Sequence, residues 1–187
     1  LSPLSFDERH RLSVNLDYRY ASGNLYNGPR WFGLDFFSDA GINLQANAAS
    51  GRPYTKQQKP QRFGASGIGG AINGARLPWN FSLDMRIDKS FRLAGNESGK
   101  PLFVNVYLRV ENLLDAKNEI GVYAASGSAY DDGYLVTPDG QSSIQNLIDS
   151  GREDDVDNYL TSYQWRELNP GFFTLPRRVY LGASLQF

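Results

Sequence analysis

Two-residue alternation, sustained over long stretches, is the feature of this sequence that most restricts its fold. In residues 11–20 the even positions (Leu12, Val14, Leu16, Tyr18, Tyr20) are apolar or aromatic, and the odd ones (Arg11, Ser13, Asn15, Asp17, Arg19) are polar. An extended strand sends these two sets to opposite faces. Residues 79–88 set Trp79, Phe81, Leu83, Met85 and Ile87 against Asn80, Ser82, Asp84, Arg86 and Asp88. Residues 102–111 set Leu102, Val104, Val106, Leu108 and Val110 against Phe103, Asn105, Tyr107, Arg109 and Glu111. The end of the chain sets Val179, Leu181, Ala183, Leu185 and Phe187 against Arg178, Tyr180, Gly182, Ser184 and Gln186. A weaker stripe covers about 36–48, with Ile42, Leu44, Ala46 and Ala48 opposite Asn43, Gln45 and Asn47. The pattern predicts an all-β chain with five strands, at 11–20, 36–48, 77–92, 101–113 and 177–187.

Such strands suit either a soluble sandwich or a membrane barrel. In a sandwich the apolar face is a core; in a barrel it meets lipid while the polar face lines the lumen. Three features favour the antiparallel transmembrane barrel. The clear stripes run nine or ten residues, close to the roughly 9–11 that a tilted strand needs to cross a bilayer. Soluble strands average about five or six. Charges of both signs (Asp17, Arg19, Asp84, Arg86, Arg109, Glu111) occupy the polar faces at mid-strand, as a wet, plugged lumen permits. Aromatics gather where stripes begin or end: Tyr18, Tyr20, Phe36, Trp79, Phe91 and Phe187. Girdles of this kind stand at membrane interfaces.

Connection lengths set an orientation, because outer-membrane barrels have short periplasmic turns and longer external loops. The stretch 94–100 is short, whereas 50–76 and 114–176 are long, so these two are the expected external loops and candidate ligand-binding regions. Strands 11–20, 77–92 and 177–187 then run inward and end at the periplasmic side, with Phe187 at the rim. The segment 21–35 is a long inner turn whose Trp31 and Phe32 suit the interface, and 118–125 extends the outward arm of its strand. Five strands cannot close a bacterial barrel, which uses an even number of about eight or more. The whole of 1–187 is therefore expected to be part of a larger barrel.

Composition narrows function more than fold. Nineteen basic against 20 acidic side chains leave a net charge of −1, without the basic excess of a nucleic-acid binder. There is no cysteine, so disulfides and thiolate metal sites are excluded and the redox compartment stays open. His10 is the single histidine, which makes a histidine-based zinc centre or a Ser-His-Asp triad hard to build. No uncharged apolar run reaches the length of a membrane helix, an absence that does not bear on barrels. Residues 126–176 carry nine acids and two bases, a local −7, with helical signals over 143–149 and 154–168. An acidic loop with its own helices reads as a folded external lid.

Several tempting motifs fail. Gly95 to Pro101 resembles a phosphate-binding loop, but its spacing is one short and Pro101 replaces the hydroxyl residue. Gly64 to Gly70 is glycine-rich without the dinucleotide fingerprint. Asp131-Asp132-Gly133 with Asp139-Gly140 lacks EF-hand spacing and reads as solvated turns. His10 between Arg9 and Arg11 suits a rim hydrogen bond or a headgroup contact. Asp84 and Asp88 flank Arg86 on one face and suit a structural charge ladder rather than paired acid–base catalysis. No catalytic residue, metal ligand or cofactor is assigned.

Short segments then match a family. Pro3-Leu4-Ser5-Phe6-Asp7-Glu8-Arg9-His10-Arg11 resembles the D-x-R-H strand start of TonB-dependent outer-membrane transporters. Ser50-Gly51-Arg52-Pro53-Tyr54-Thr55 resembles their S-G-x-P-Y-T loop, and Arg76-Leu77-Pro78-Trp79 with Leu83-Asp84 the segment before the penultimate hairpin. Val110-Glu111-Asn112-Leu113-Leu114-Asp115 is similar to the N-L-F-D ending of the penultimate strand, with Leu114 where Phe is usual. Arg177 and Arg178 through Leu185-Gln186-Phe187 resemble the closing strand with its terminal aromatic, the signal read by the barrel-assembly machinery. The order of these matches along the chain carries more weight than any one of them.

The resemblance implies the C-terminal portion of a 22-stranded barrel in the bacterial outer membrane, with a plug domain and TonB box outside this chain. It implies energised import of a scarce or bulky ligand, such as a metal chelate, saccharide or peptide. The implied partners are outer-membrane lipid, the rest of the barrel and its plug, and the TonB complex, with a surface lipoprotein or larger envelope complex as further candidates. The rivals are a structural or secretion-associated barrel of a larger envelope complex, an outer-membrane enzyme, and a soluble carbohydrate-binding sandwich. A plug domain upstream separates transport from the first; His10 alone argues against the second; solubility without detergent would mark the third.

Overall fold

The computed structural model describes residues 2–93 and 102–186. Among these described residues nine strands form in chain order: β1 (Arg11–Arg19), β2 (Ala40–Ala49), β3 (Pro53–Tyr54), β4 (Gln57–Gln61), β5 (Gly64–Ile68), β6 (Ala75–Arg76), β7 (Asn80–Leu93), β8 (Leu102–Glu111) and β9 (Arg178–Gln186). Two helices, α1 (Pro138–Asp149) and α2 (Val156–Glu167), lie between β8 and β9 in the sequence. No helix among the described residues is long and apolar enough to cross a membrane. The chain is thus mostly antiparallel sheet with few helices, as the alternation predicts. The expected turn at 94–100, the phosphate-loop look-alike ending at Pro101, and Phe187 lie outside the described residues.

The described residues form two compact units, one drawn from 12–48, 81–116 and 175–187 and the other from 1–11, 49–80 and 117–174. The first holds a five-stranded sheet in the order β1-β2-β7-β8-β9. Backbone bonds Tyr20 N to Ala40 O (2.9 Å) and Ser90 N to Asp39 O (3.0 Å) close antiparallel ends of β1–β2 and β2–β7. Between β7 and β8, Arg86 lies opposite Arg109 and Ile87 opposite Leu108; between β8 and β9, Leu108 lies opposite Leu181 and Asn105 opposite Ser184. Directly opposed residues share a face. This register therefore gathers the apolar sets of all three strands on one face and the polar sets on the other.

The apolar face has little cover. Val110 is the one buried hydrophobic side chain of this unit among the described residues, whereas Leu16 is 62% and Leu181 79% exposed. On the polar face Arg19 of β1 reaches across β2 and donates to both carboxylate oxygens of buried Asp88 on β7, at 2.9 and 3.1 Å. Gly41 makes that crossing feasible: a Cβ there would stand 2.7 Å from the Arg19 Cζ. Asn105 Nδ2 continues the row, donating to Asp88 at 3.0 Å and to Ser90 Oγ at 3.1 Å. Gly182 similarly leaves room for Tyr107, whose ring atoms a Cβ would meet at 2.5 Å.

Strand ends differ from the sequence expectation where turns intervene. β2 starts at Ala40 rather than 36, because Ser38 N bonds to Asp35 O, Ala40 N to Phe37 O, and Asp39 adopts φ +56°. β8 stops at Glu111 because Asn112 takes φ +53° and begins a clamp. Asn112 Nδ2 donates to Ala116 O and Leu175 O, each at 3.1 Å, and Arg177 N donates to Asp115 Oδ1 at 2.8 Å. The Asn-Leu-Leu-Asp segment thus ties the end of β8 to the start of β9. Lys89 interrupts the apolar set of β7, opposite Val106. Its Nζ bonds to the Phe36 and Ser38 carbonyls and lies 5.1 Å from the Phe36 ring, the behaviour of a cation that snorkels out of an apolar face.

Candidate ligand-binding cleft

The second unit contains most of both expected loop regions, and they are built rather than loose. Its base joins three segments that carry the resemblance. Asp7 pairs with Arg76, and Glu8 with Arg52 (3.1 Å) and Arg11 (3.3 Å). Ser50 Oγ accepts from His10 N at 3.1 Å, while Ser50 N donates to His10 O at 2.8 Å. A Cβ on Gly51 would fall 1.8 Å from the Leu77 carbonyl oxygen, so only glycine admits this approach. His10 lies parallel to Trp79, with ring centroids 6.1 Å apart. These residues form a clamp that fixes where the loops begin.

Above this base β3 pairs with β6, and β4 with β5. Gln61 lies opposite Gly64, so Arg62 and Phe63 form the hairpin tip. Phe63 takes φ +58°, a region that a bulky side chain seldom adopts. Its N–H donates to Asp132 Oδ2 at 2.7 Å, and its ring stacks on Tyr163 at 4.8 Å. α1 starts at Pro138, five residues before the predicted helix, because Thr137 Oγ1 caps the Gly140 N–H at 3.1 Å and proline suits the first turn. α2 begins at Val156 after a 3-10 turn at Glu153–Asp155 and ends at Glu167. Its residues Tyr159, Ser162, Tyr163 and Arg166 follow one helical face.

A buried polar knot binds hairpin to helix. Asp132 is fully buried and accepts from Phe63 N, Tyr134 N (2.7 Å) and the Tyr163 hydroxyl (2.6 Å). Glu167 accepts from Asp132 N at 3.0 Å, and the Tyr123 hydroxyl donates to the Glu167 carbonyl at 2.8 Å. Burial, then the bond to Asp132, pushes the Tyr163 hydroxyl well above its usual range. Burial and the nearby carboxylates of Asp132 and Glu167 raise Tyr123. Burial first, and then the Asp132 and Asp131 carboxylates, push Glu167 up to about 7. Carboxylate oxygens of Asp131, Asp132 and Glu167 lie within 4.8 Å of one another. N–H and O–H donors already surround Asp132, and Asp131 Oδ1 accepts from Gly133 N at 2.7 Å, so hydrogen bonds account for this grouping. Glu167, absent from the sequence reading of the aspartates, joins it; Asp139 does not.

Against this knot opens a cleft of about 320 Å³, walled by Arg62 and Phe63 of the hairpin, Arg152 before α2, and Tyr159, Ser162 and Arg166 of α2. Both expected loop regions contribute to it. Arg62 places its guanidinium 5.7 Å from the Phe63 ring and 5.9 Å from Tyr163. Arg152 is tied to Asp155 at 2.7 Å. Among the described residues, neither Arg62 nor Arg166 has a carboxylate within 4 Å. A second cavity of about 460 Å³ shares Phe63 and Arg166 with the first. The sequence held one usable signal for this cleft, the spacing of residues 159, 162, 163 and 166. Arg62 carried none, since its role depends on the hairpin.

Each charge singled out on the sheet has a partner there, and Arg109 and Glu111 partner each other. Asp17 accepts from Asn43 Nδ2 at 3.1 Å, and Asp84 Oδ1 accepts from Asn112 N at 2.8 Å. Arg86 rests over the Tyr107 ring at 4.2 Å, and Glu111 pairs with both Arg109 and Arg178 at 2.6 Å. Of the expected ladder along β7, Arg86 lies 3.9 Å from Asp88, whereas Asp84 turns to the backbone of Asn112 instead. Comparison with protein-family models, curated proteins and solved structures finds no match to this chain.

Proposed function

We propose that this chain is the C-terminal part of the barrel of a TonB-dependent outer-membrane transporter, with segments 50–76 and 114–176 serving to capture ligand. The uncovered apolar face of the sheet carries the proposal. Leu12, Val14, Leu16, Phe81, Ile87, Val106, Val179, Leu181 and Leu185 are all exposed. That is far more contiguous apolar surface than a soluble domain leaves in water. Lipid is the occupant that suits a long-stranded face whose reverse side is charged and hydrogen-bonded. Exposed Trp31 and Phe32 (93%) suit an interface at the strand ends. The order of the motif segments supports the family, and the plug, TonB contact and energised import follow from it.

The test uses the full-length protein in outer membranes. Folded protein should change mobility on heating, and uptake of its ligand should stop when TonB is removed. A soluble, monomeric chain that needs no detergent would overturn the membrane reading. Folded barrel with TonB-independent uptake would overturn the energised one.

A further inference from the structure

We infer that the cleft between the Arg62-Phe63 hairpin tip and α2 binds an acidic saccharide, with the ligand's carboxylate or sulfate held by Arg62 and Arg166. This rests on the capture role proposed above and adds the class of ligand. Residues 126–176 carry a net −7 and only two basic side chains, Arg152 and Arg166, yet both line this one cleft beside Arg62. Three guanidiniums against Asp155 leave a local excess of two positive charges in otherwise acidic surroundings. Arg152 is paired with Asp155, but Arg62 and Arg166 present forked donors with no carboxylate among the described residues within 4 Å to receive them. Planar forks of this kind match a carboxylate or sulfate.

The remaining walls fit a sugar ring. Phe63 and Tyr159 offer aromatic surface, while Asn158 and Ser162, exposed on α2, offer partners for hydroxyl groups. A volume of about 320 Å³ is at the small end of ligand sites, which run from about 300 to 1,000 Å³. The backbone also holds Phe63 at φ +58°, fixed by Asp132 and Tyr163, so Arg62 projects from a tip that costs strain to keep.

Calorimetry on the detergent-solubilised full-length protein tests this, with oligogalacturonate as probe and a neutral oligosaccharide and a ferric catecholate chelate as comparators. Oligogalacturonate should bind, the neutral sugar should bind at least about tenfold more weakly, and added salt should weaken the acidic probe. Arg62→Gln and Arg166→Gln should each weaken it about tenfold, in protein whose heat-modifiable mobility is unchanged. Lys59→Gln removes a charge from the same hairpin outside the cleft, and should change affinity less than about twofold. Equal affinity for the neutral sugar, binding of the chelate alone, or equal losses at Lys59 and Arg62 would each overturn the inference. None of these would touch the transport proposal, which fails separately if uptake ignores TonB.

Discussion

At Glu167 a carboxyl group is buried among other carboxylates, and its titration becomes a property of the loop unit. The group titrates near 4.5 when free and near 7 in the folded protein, because burial and the Asp132 and Asp131 carboxylates oppose its charge. The groups facing it include the hydroxyls of Tyr123 and Tyr163, both shifted out of reach of neutral pH. Between the two values the folded state keeps a proton that the unfolded chain has lost. The stability that Glu167 contributes is therefore fully present below about 4.5, falls as pH rises toward about 7, and is lost above it. The change amounts to roughly 1–3 kcal/mol. Glu167→Gln retains an acceptor for Asp132 N and removes the titration. Hydrogen exchange in α2, corrected for intrinsic rates, should show less protection at pH 8 than at pH 5 in wild type and equal protection in the variant. Equal protection in wild type would show that Glu167 does not titrate in that window. At this scale little was legible from sequence: Asp132 and Glu167 are 35 residues apart, and their pairing depends on a hairpin that places Phe63 N between α2 and the Asp131–Tyr134 turn.

Strands were legible where one face is apolar and obscure where neither is. β1, β2, β7, β8 and β9 all follow the alternation, whereas β4 reads Gln-Gln-Lys-Pro-Gln and pairs with β5 through its two-residue turn. No hydrophobic stripe announces such a hairpin, since its partner surfaces are polar and local. Helix α1 was half visible, because its capping residues Thr137 and Pro138 precede the periodic part. Lys89 shows a limit of parity reasoning, for it lies on the apolar face and still reaches polar carbonyls. The register makes a direct forecast on β9. Leu181 and Ser184 are three residues apart on opposite faces, opposed to Leu108 and Asn105. In the membrane reading, Leu181→Arg should cost about 2–4 kcal/mol and Ser184→Arg less than about 1, measured by denaturant titration of the full-length protein in bilayers. Equal costs would remove the facing argument.

For the molecule as a whole, the described residues separate into a sheet unit and a loop unit where the sequence offered only loop lengths. Within one unit Asn112 and Asp115 fasten the end of β8 to Leu175 and Arg177. Within the other, Thr174 N donates to Asn118 O at 3.0 Å, and Glu119 bridges to Phe173. The segment from 119 to 173 therefore starts and finishes at adjacent backbone positions. In the transport reading, replacing 119–173 by a short glycine linker should leave heat-modifiable folding of the full-length protein intact and abolish uptake at limiting ligand; unimpaired uptake would show the segment to be a passive surface. The same stapled neck has a consequence for descent. A cassette whose two ends already touch can be lengthened, recut or exchanged between lineages while strand register stays undisturbed. The segment between the staples would then diverge among relatives faster than the alternating strands that the sheet register holds in place.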